Sequence, residues 1–289
     1  MITGYFLCTS QHRSIGKPIG LLLQISIYSC LVYLVLSAFK VYPFSIRSII
    51  GCCIPSNWFI TLYIVIYLIS PCINIALGKL SNRGWKVLIS ILLILFSGIP
   101  MILGCIENIG INLSGLSTSG RGGNQAGYTL VNFVVLYCIG ACIRKNELDK
   151  KIKHSKSFIV IIISALVLWG WRFIPMNIKP WHMAGWYDNI LVILLAASAL
   201  IFFKRLKFRS SFVNYIAKSA FTVYIIHIPL FLLVSPKDVL QLPMLQMLCT
   251  IVIIICCIYV IAIVMYKLYE FFCIKTIKYL DKYSIEYFD

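Results

Sequence analysis

The chain has 289 residues and is poor in charge, above all in negative charge: 9 Asp and Glu stand against 26 Lys and Arg, and charged residues make up 12% of the whole. A water-soluble domain carries about 25% charge, so too few polar side chains remain here to cover a surface facing water. No polar loop reaches the ~40 residues below which a core rarely stands alone, which excludes a separate soluble domain. None of the 12 cysteines forms a C-x-x-C pair, which removes the usual structural zinc site. There is no internal repeat, so an inverted-repeat transporter finds no support. No basic segment precedes the first apolar stretch, Met1 to Cys8, which therefore does not read as a signal peptide.

What is present is hydrophobic, 61% of the chain, and it comes in long runs. Leu21–Phe39, Trp58–Gly78, Val87–Ile106 and Gly122–Ile143 carry no charge and approach or exceed the ~18 apolar residues that mark a spanning helix. Shorter runs follow at Ser157–Trp171, Asn189–Phe203 and Ser219–Pro236, and a long one at Val239–Tyr266. Hydrocarbon offers backbone groups no water to bond, so each run is expected to be helical. The expected fold is all-α: a polytopic membrane helix bundle of about eight transmembrane helices. Met1–Cys8 would form a partial N-terminal helix before them. Residues 1–272 are read as the membrane domain and 273–289 as a C-terminal tail, whose aromatics suit an interfacial helix.

A net charge of +17 would suit nucleic acid, but its placement argues against that partner. Twenty of the 26 basic residues fall in alternate loops: around Arg13 and Lys17, Lys79–Lys86, Arg144–Lys156, Lys204–Lys218, and from Lys267 onward. The positive-inside rule puts that set in the cytoplasm, which predicts a multi-pass cell-membrane protein with a cytoplasmic C-terminus and a surface drawn to anionic lipid. Trp58, Trp171, Trp181 and Trp186 then mark the outer boundary. Cys52, Cys53 and Cys105 fall on that outer side, where a disulfide is an option; most other cysteines lie inside runs as small apolar residues.

His227 is the one histidine inside a predicted run. Eight residues from Ser219 at 1.5 Å each place it about 12 Å deep, where an ionisable group is a functional candidate. Tyr224 lies on the same helix face, and Pro229 weakens the helix just beyond. The plain alternative is a histidine bonded to a neighbouring helix. His12, His154 and His182 have no second ligand at useful spacing, so no metal site is expected. The glycine-rich stretch Ser119–Gly127 lacks the Lys-Ser/Thr of a P-loop and reads as a flexible outer loop, with Arg121 and Asn124 as possible contacts for an outer ligand.

Four segments carry a family resemblance. MITGYFL (Met1–Leu7) resembles the M-[ST]-G-Y-F-L helix end of acyltransferase-3 proteins. NWFITLYIVIYLISPCIN (Asn57–Asn74) is similar to the family's W-F-x-x-x-Y-x-x-x-Y-L-x-S-P-x-x-N helix, through Trp58, Phe59, Tyr63, Tyr67, Leu68, Ser70, Pro71 and Asn74. FVVLYCIGACIRK (Phe133–Lys145) resembles Y-x-I-G-x-x-I-R, and SAFTVYIIHIPLF (Ser219–Phe231) resembles S-x-x-x-x-Y-L-I-H-x-P. The resemblance implies a membrane enzyme that moves an acyl group, acetyl in the first instance, from a cytosolic acyl-CoA cosubstrate to a hydroxyl of a cell-surface saccharide or glycolipid. It implies no tightly held cofactor. The family's catalytic histidine belongs to a helix that precedes the segment matched here, so the chain as it stands is expected to be impaired. His227, supported by Tyr224, is then the candidate catalytic or site-lining residue. Arg13, Lys17, Arg83 and Arg144, with Lys79 and Lys145, are candidates for acyl-CoA phosphate contacts at a basic inner mouth. The competing readings are a carrier or flippase for a glycolipid or small solute, and an inactive truncated acyltransferase.

Overall fold

The computed structural model describes residues 1–55, 57–108, 125–171, 173 and 181–285. In chain order its principal helices are α1 (Ile2–Leu7), α2 (Gly16–Ala38), α3 (Ile46–Cys53), α4 (Trp58–Gly78), α5 (Asn82–Leu93), α6 (Ile99–Asn108), α7 (Leu130–Lys145), α8 (His154–Trp171), α9 (Ile190–Arg205), α10 (Ser211–Ala217), α11 (Ala220–Leu230) and α12 (Met244–Leu280). Short helical turns, among them Leu148–Lys151 and Pro236–Leu240, connect some of them. A π turn at Ile94–Gly98 joins α5 to α6; it widens the helix just before Pro100, which has no N–H to give the ladder.

Each predicted run contributes helix among the described residues, but not all of these helices reach across a bilayer. Five stretches are long and apolar enough: Gly16–Ala38, Ile46–Gly78, Asn82–Ile106, His154–Trp171 and Met244–Leu280. The helices at Ser211–Ala217 and Ala220–Leu233, bent by 52°, make a sixth if they count as one broken span. The two remaining runs are α7 and α9, of 16 residues each, or about 24 Å against a ~30 Å hydrocarbon core. Helix α7 starts late because Gly127 has φ 82° and the Thr129 side chain caps the first turn by accepting from Asn132 N–H. Asn189 caps α9 in the same way, accepting from Leu191 N–H. Length thus supports five or six crossings among the described residues where the runs predicted about eight.

The outer faces are apolar. Helix α8 exposes Phe158, Ile159, Ile162, Ile163, Leu166 and Trp169, a patch far too large for a protein bathed in water and natural in lipid. The chain is an all-α, polytopic membrane protein.

The described chain packs as two compact units. The first holds Met1–Arg13 and Thr61–Lys207, the second Ser14–Ile60 and Phe208–Ile285. In the first unit α1 lies against α7, and α8 against α9. The α1–α7 crossing is backbone on backbone: a Cβ on Gly4 would stand 2.0 Å from the Tyr137 carbonyl oxygen, and one on Gly140 2.0 Å from that of Met1. Glycine at both positions is what lets these helices approach so closely. Around the crossing are two clusters, one of Cys8, Ile66, Trp85, Tyr137 and Cys138, the other of Tyr5, Val135, Ile139, Ile193 and Ile201. In the second unit α2, α11 and α12 pack about Tyr28, Val32, Ile226, Ile258, Met265 and Tyr269. Two of its hydroxyls tie helices together. Thr222 donates to the Tyr28 oxygen at 3.2 Å, and Tyr269 donates to the Gly20 carbonyl at 3.1 Å.

Candidate functional site

The family-like segments of the first unit converge on Arg13. Pro71 inside α4 cannot donate to the carbonyl one turn back, that of Tyr67. Arg13 Nε takes that freed carbonyl at 3.1 Å and the Ser70 hydroxyl oxygen at 2.8 Å, while Ser70 itself donates to Tyr67 O at 2.7 Å. Arg13 Nη1 reaches Ser10 Oγ at 2.9 Å and His12 O at 2.7 Å, and Nη2 reaches Leu7 O. Asn74, one turn beyond Ser70, donates to Leu7 O and Ser10 O at 2.7 and 2.8 Å and accepts from the Tyr137 hydroxyl at 2.7 Å. The Y-L-x-S-P-x-x-N pattern thus reads physically as a socket: proline frees an acceptor, serine and asparagine flank it, and a guanidinium closes it. Arg13 is 1% exposed and has no carboxylate partner among the described residues. Its donors are directed at protein acceptors rather than outward.

A second cluster lies at the Arg144 end of α7. The buried Tyr5 hydroxyl donates to Asp149 Oδ2 at 2.6 Å, and Arg144 Nη1 donates to the same phenol oxygen at 3.3 Å. The Arg144 guanidinium sits 5.2 Å from the Tyr5 ring centre and the Lys204 ammonium 5.8 Å. Both cations are exposed, and neither meets a carboxylate within ion-pair distance among the described residues. Of the remaining basic candidates, Lys79, Arg83 and Lys145 are exposed in the first unit, Lys145 next to Arg144, and Lys17 is exposed in the first turn of α2 in the second. Sequence reading found Arg144 but not Lys204, Tyr5 or Asp149; the tyrosine of MITGYFL was the available signal.

In the second unit His227 lies on α11, half-buried, with Nδ1 3.0 Å from the Val223 carbonyl oxygen and 2.9 Å from that of Tyr224. Carbonyl oxygens only accept, so Nδ1 carries the proton and a neutral ring keeps its lone pair on Nε2. A cavity of about 290 Å³ adjoins it, lined by Val223, Tyr224 and His227 of α11, by Phe231 just past the end of that helix, and by Ile255 and Tyr259 of α12. The Tyr224 ring lies 6.3 Å from the imidazole and Phe231 6.2 Å, edge-on. This is an apolar recess with an imidazole on its wall.

Further along the first unit, Asp188 is 2% exposed just before α9. Burial pushes its carboxyl up to about 6, against a smaller opposing effect of a backbone hydrogen bond. Gly120–Asn124 and Arg121, together with the His182 side chain, lie outside the described residues.

Residues 1–266 match the family model described as an acyltransferase domain, and the chain belongs to that family, acyltransferase-3. It is a membrane acyltransferase. No curated protein and no solved structure matches the chain.

Proposed function

We propose that the protein is an O-acyltransferase of the cell membrane, with its C-terminus in the cytoplasm, that moves an acetyl or other acyl group from acyl-CoA to a hydroxyl of a saccharide or glycolipid. The observation that carries this reading is the contact of His227 Nδ1 with two carbonyl oxygens of its own helix. An imidazole whose Nδ1–H is tied to its own helix presents Nε2 as an acceptor, and a hydroxyl that is to attack a thioester needs such an acceptor for its proton. The hydroxyl oxygen bonds to the thioester carbonyl carbon, the C–S bond breaks, and the hydroxyl proton ends on the departing thiol. Tyr224 and Phe231 hold the ring's orientation, and the apolar lining excludes water that would otherwise take the acyl group. Arg144 and Lys204, exposed around one tyrosine ring of the first unit, offer charge-assisted bonds to phosphate, a group the acyl-CoA donor carries. The excess of Lys and Arg in alternate loops supports the orientation.

The test is steady-state acyl transfer in proteoliposomes, with acetyl-CoA and a panel of glycan and glycolipid acceptors. His227→Ala should lower kcat by roughly 10- to 100-fold, the cost of one unmade buried hydrogen bond of about 1–3 kcal/mol, and His227→Gln by less. The Arg144→Ala, Lys204→Ala pair should raise KM for acetyl-CoA with kcat little changed. If His227→Ala transfers as fast as the parent, His227 is a packing residue. If a folded protein shows no turnover with any hydroxyl acceptor, the O-acyl reading fails.

A further inference from the structure

Two thiols of the second unit are held together by the way α3 folds back along α2. Lys40 turns the chain with φ 60°. The Tyr33 hydroxyl secures the return by donating to the Pro43 carbonyl at 2.8 Å and accepting from the Ser45 N–H at 2.9 Å. Helix α3 then runs antiparallel to α2. Ser26 Oγ donates to the Cys53 carbonyl at 2.8 Å, and Cys30 Sγ lies 3.8 Å from the Ile49 carbonyl. Ser26 and Cys30 are one turn apart on α2, as Ile49 and Cys53 are on α3, so each pair shares a helix face. Cys30 Sγ and Cys53 Sγ are left 3.7 Å apart, both as free thiols. Cys52, next in sequence, points to a different place: it lines a cavity of about 350 Å³ with Tyr28, Tyr33, Tyr42 and Pro229.

We propose that Cys30 and Cys53 form a redox pair that closes to an intramolecular disulfide, with a low-molecular-weight disulfide as the oxidant. Cys53 is exposed and Cys30 half-buried, so Cys53 attacks first. Its thiolate sulfur bonds to one sulfur of the oxidant, and the other sulfur leaves as a thiol. The Cys30 thiolate then displaces the remaining oxidant sulfur from Cys53. Each cysteine gives up one proton, two electrons pass to the oxidant, and one oxidant disulfide becomes two thiols. The sulfurs must close from 3.7 Å to about 2.05 Å, a movement that side-chain rotation supplies while the Ser26–Cys53 bond holds the backbone. Closure would fasten α3 to α2 and with it the Cys52 wall of the larger cavity.

The experiment uses the purified protein in detergent, incubated with oxidised glutathione, acid-quenched, alkylated with a maleimide and mapped by mass spectrometry. The expected result is a Cys30–Cys53 cross-linked peptide, with two of the 12 cysteines newly protected from alkylation. Cys52→Ser should behave as the parent does. Cys30→Ser should stop at a glutathione adduct on Cys53. Failure of the parent protein to protect two thiols, a cross-link that uses Cys52 in place of Cys53, or a covalent dimer on a non-reducing gel would each overturn the proposal. The parent peptide map decides the matter even if a serine variant does not fold.

Discussion

Replacing Arg13 separates a socket from a phosphate ligand. The side chain makes five hydrogen bonds to protein acceptors. Arg13→Met removes them all, yet few acceptors are orphaned: Tyr67 O keeps the Ser70 hydroxyl and Leu7 O keeps Asn74. The loss is the net value of charged hydrogen bonds, about 1.5–3 kcal/mol each for the two made by Nε, partly offset because a buried charge no longer has to be desolvated. The expected net cost is about 2–3 kcal/mol. Arg13→Lys keeps the desolvation cost but loses the fork, since one ammonium cannot serve both Ser70 and the Ser10–His12 side. It should cost at least as much, about 3–5 kcal/mol, the range for a buried charge left poorly partnered. A phosphate ligand would show the opposite order, with lysine the milder change. The assay is equilibrium unfolding in mixed micelles of rising SDS fraction, with pulsed alkylation of Cys8 as a local probe; Cys8 is 4% exposed where α1 ends. If the lysine variant matches the parent while methionine unfolds, the charge matters and the fork does not. If both lie within about 0.5 kcal/mol of the parent, ordinary surface behaviour, the socket argument is wrong.

Gly140→Ala puts a methyl 2.0 Å from the Met1 carbonyl oxygen and should destabilise by about 1–3 kcal/mol in the same unfolding assay, whereas Gly170→Ala, with nothing within 4 Å of its Cβ, should be neutral or gain up to about 1 kcal/mol. Asp188 carries the pH prediction. Its folded value of about 6 lies above the ordinary 3.8, so the folded state holds the proton more tightly. Its contribution is full below about pH 4 and is lost as pH rises through about 6, up to roughly 3 kcal/mol. Unfolding midpoints measured across that window should fall with rising pH, and Asp188→Asn should flatten the slope; an unchanged slope would remove Asp188 as its source.

Apolar run length made the helices legible in the sequence, because hydrocarbon leaves the backbone no alternative. It did not reveal where helices begin, since Gly127 and Thr129 decide that for α7 by local backbone geometry within a run that looks continuous. His227 was legible because a histidine in hydrocarbon is rare; its tautomer was not, because the partners are main-chain carbonyls that carry no side-chain signature. Arg13 reads in the sequence as a loop cation because most of its acceptors are the carbonyls of Leu7, His12 and Tyr67, with the Ser10 and Ser70 hydroxyls beside them. Asp149 sits among lysines and reads as a solvated loop residue until the fold brings Tyr5, 144 positions away, to it.

The socket around Arg13 also sets an order of manufacture. A membrane protein is made from its amino end, and α1 enters the bilayer long before its partners exist. The Tyr67 carbonyl that receives Arg13 is synthesised 54 residues later, and Tyr137, which orients Asn74, 63 residues after that asparagine. Until α4 arrives with its proline-freed carbonyl, the Arg13 guanidinium has no place in the membrane and must wait at the water boundary. Until α7 arrives with Gly140, α1 lacks its close backbone partner. Helix α1, made before both, is therefore fully seated only once they arrive, and a ribosome stalled between α4 and α7 would display α1 tethered by Arg13 but not yet packed against α7.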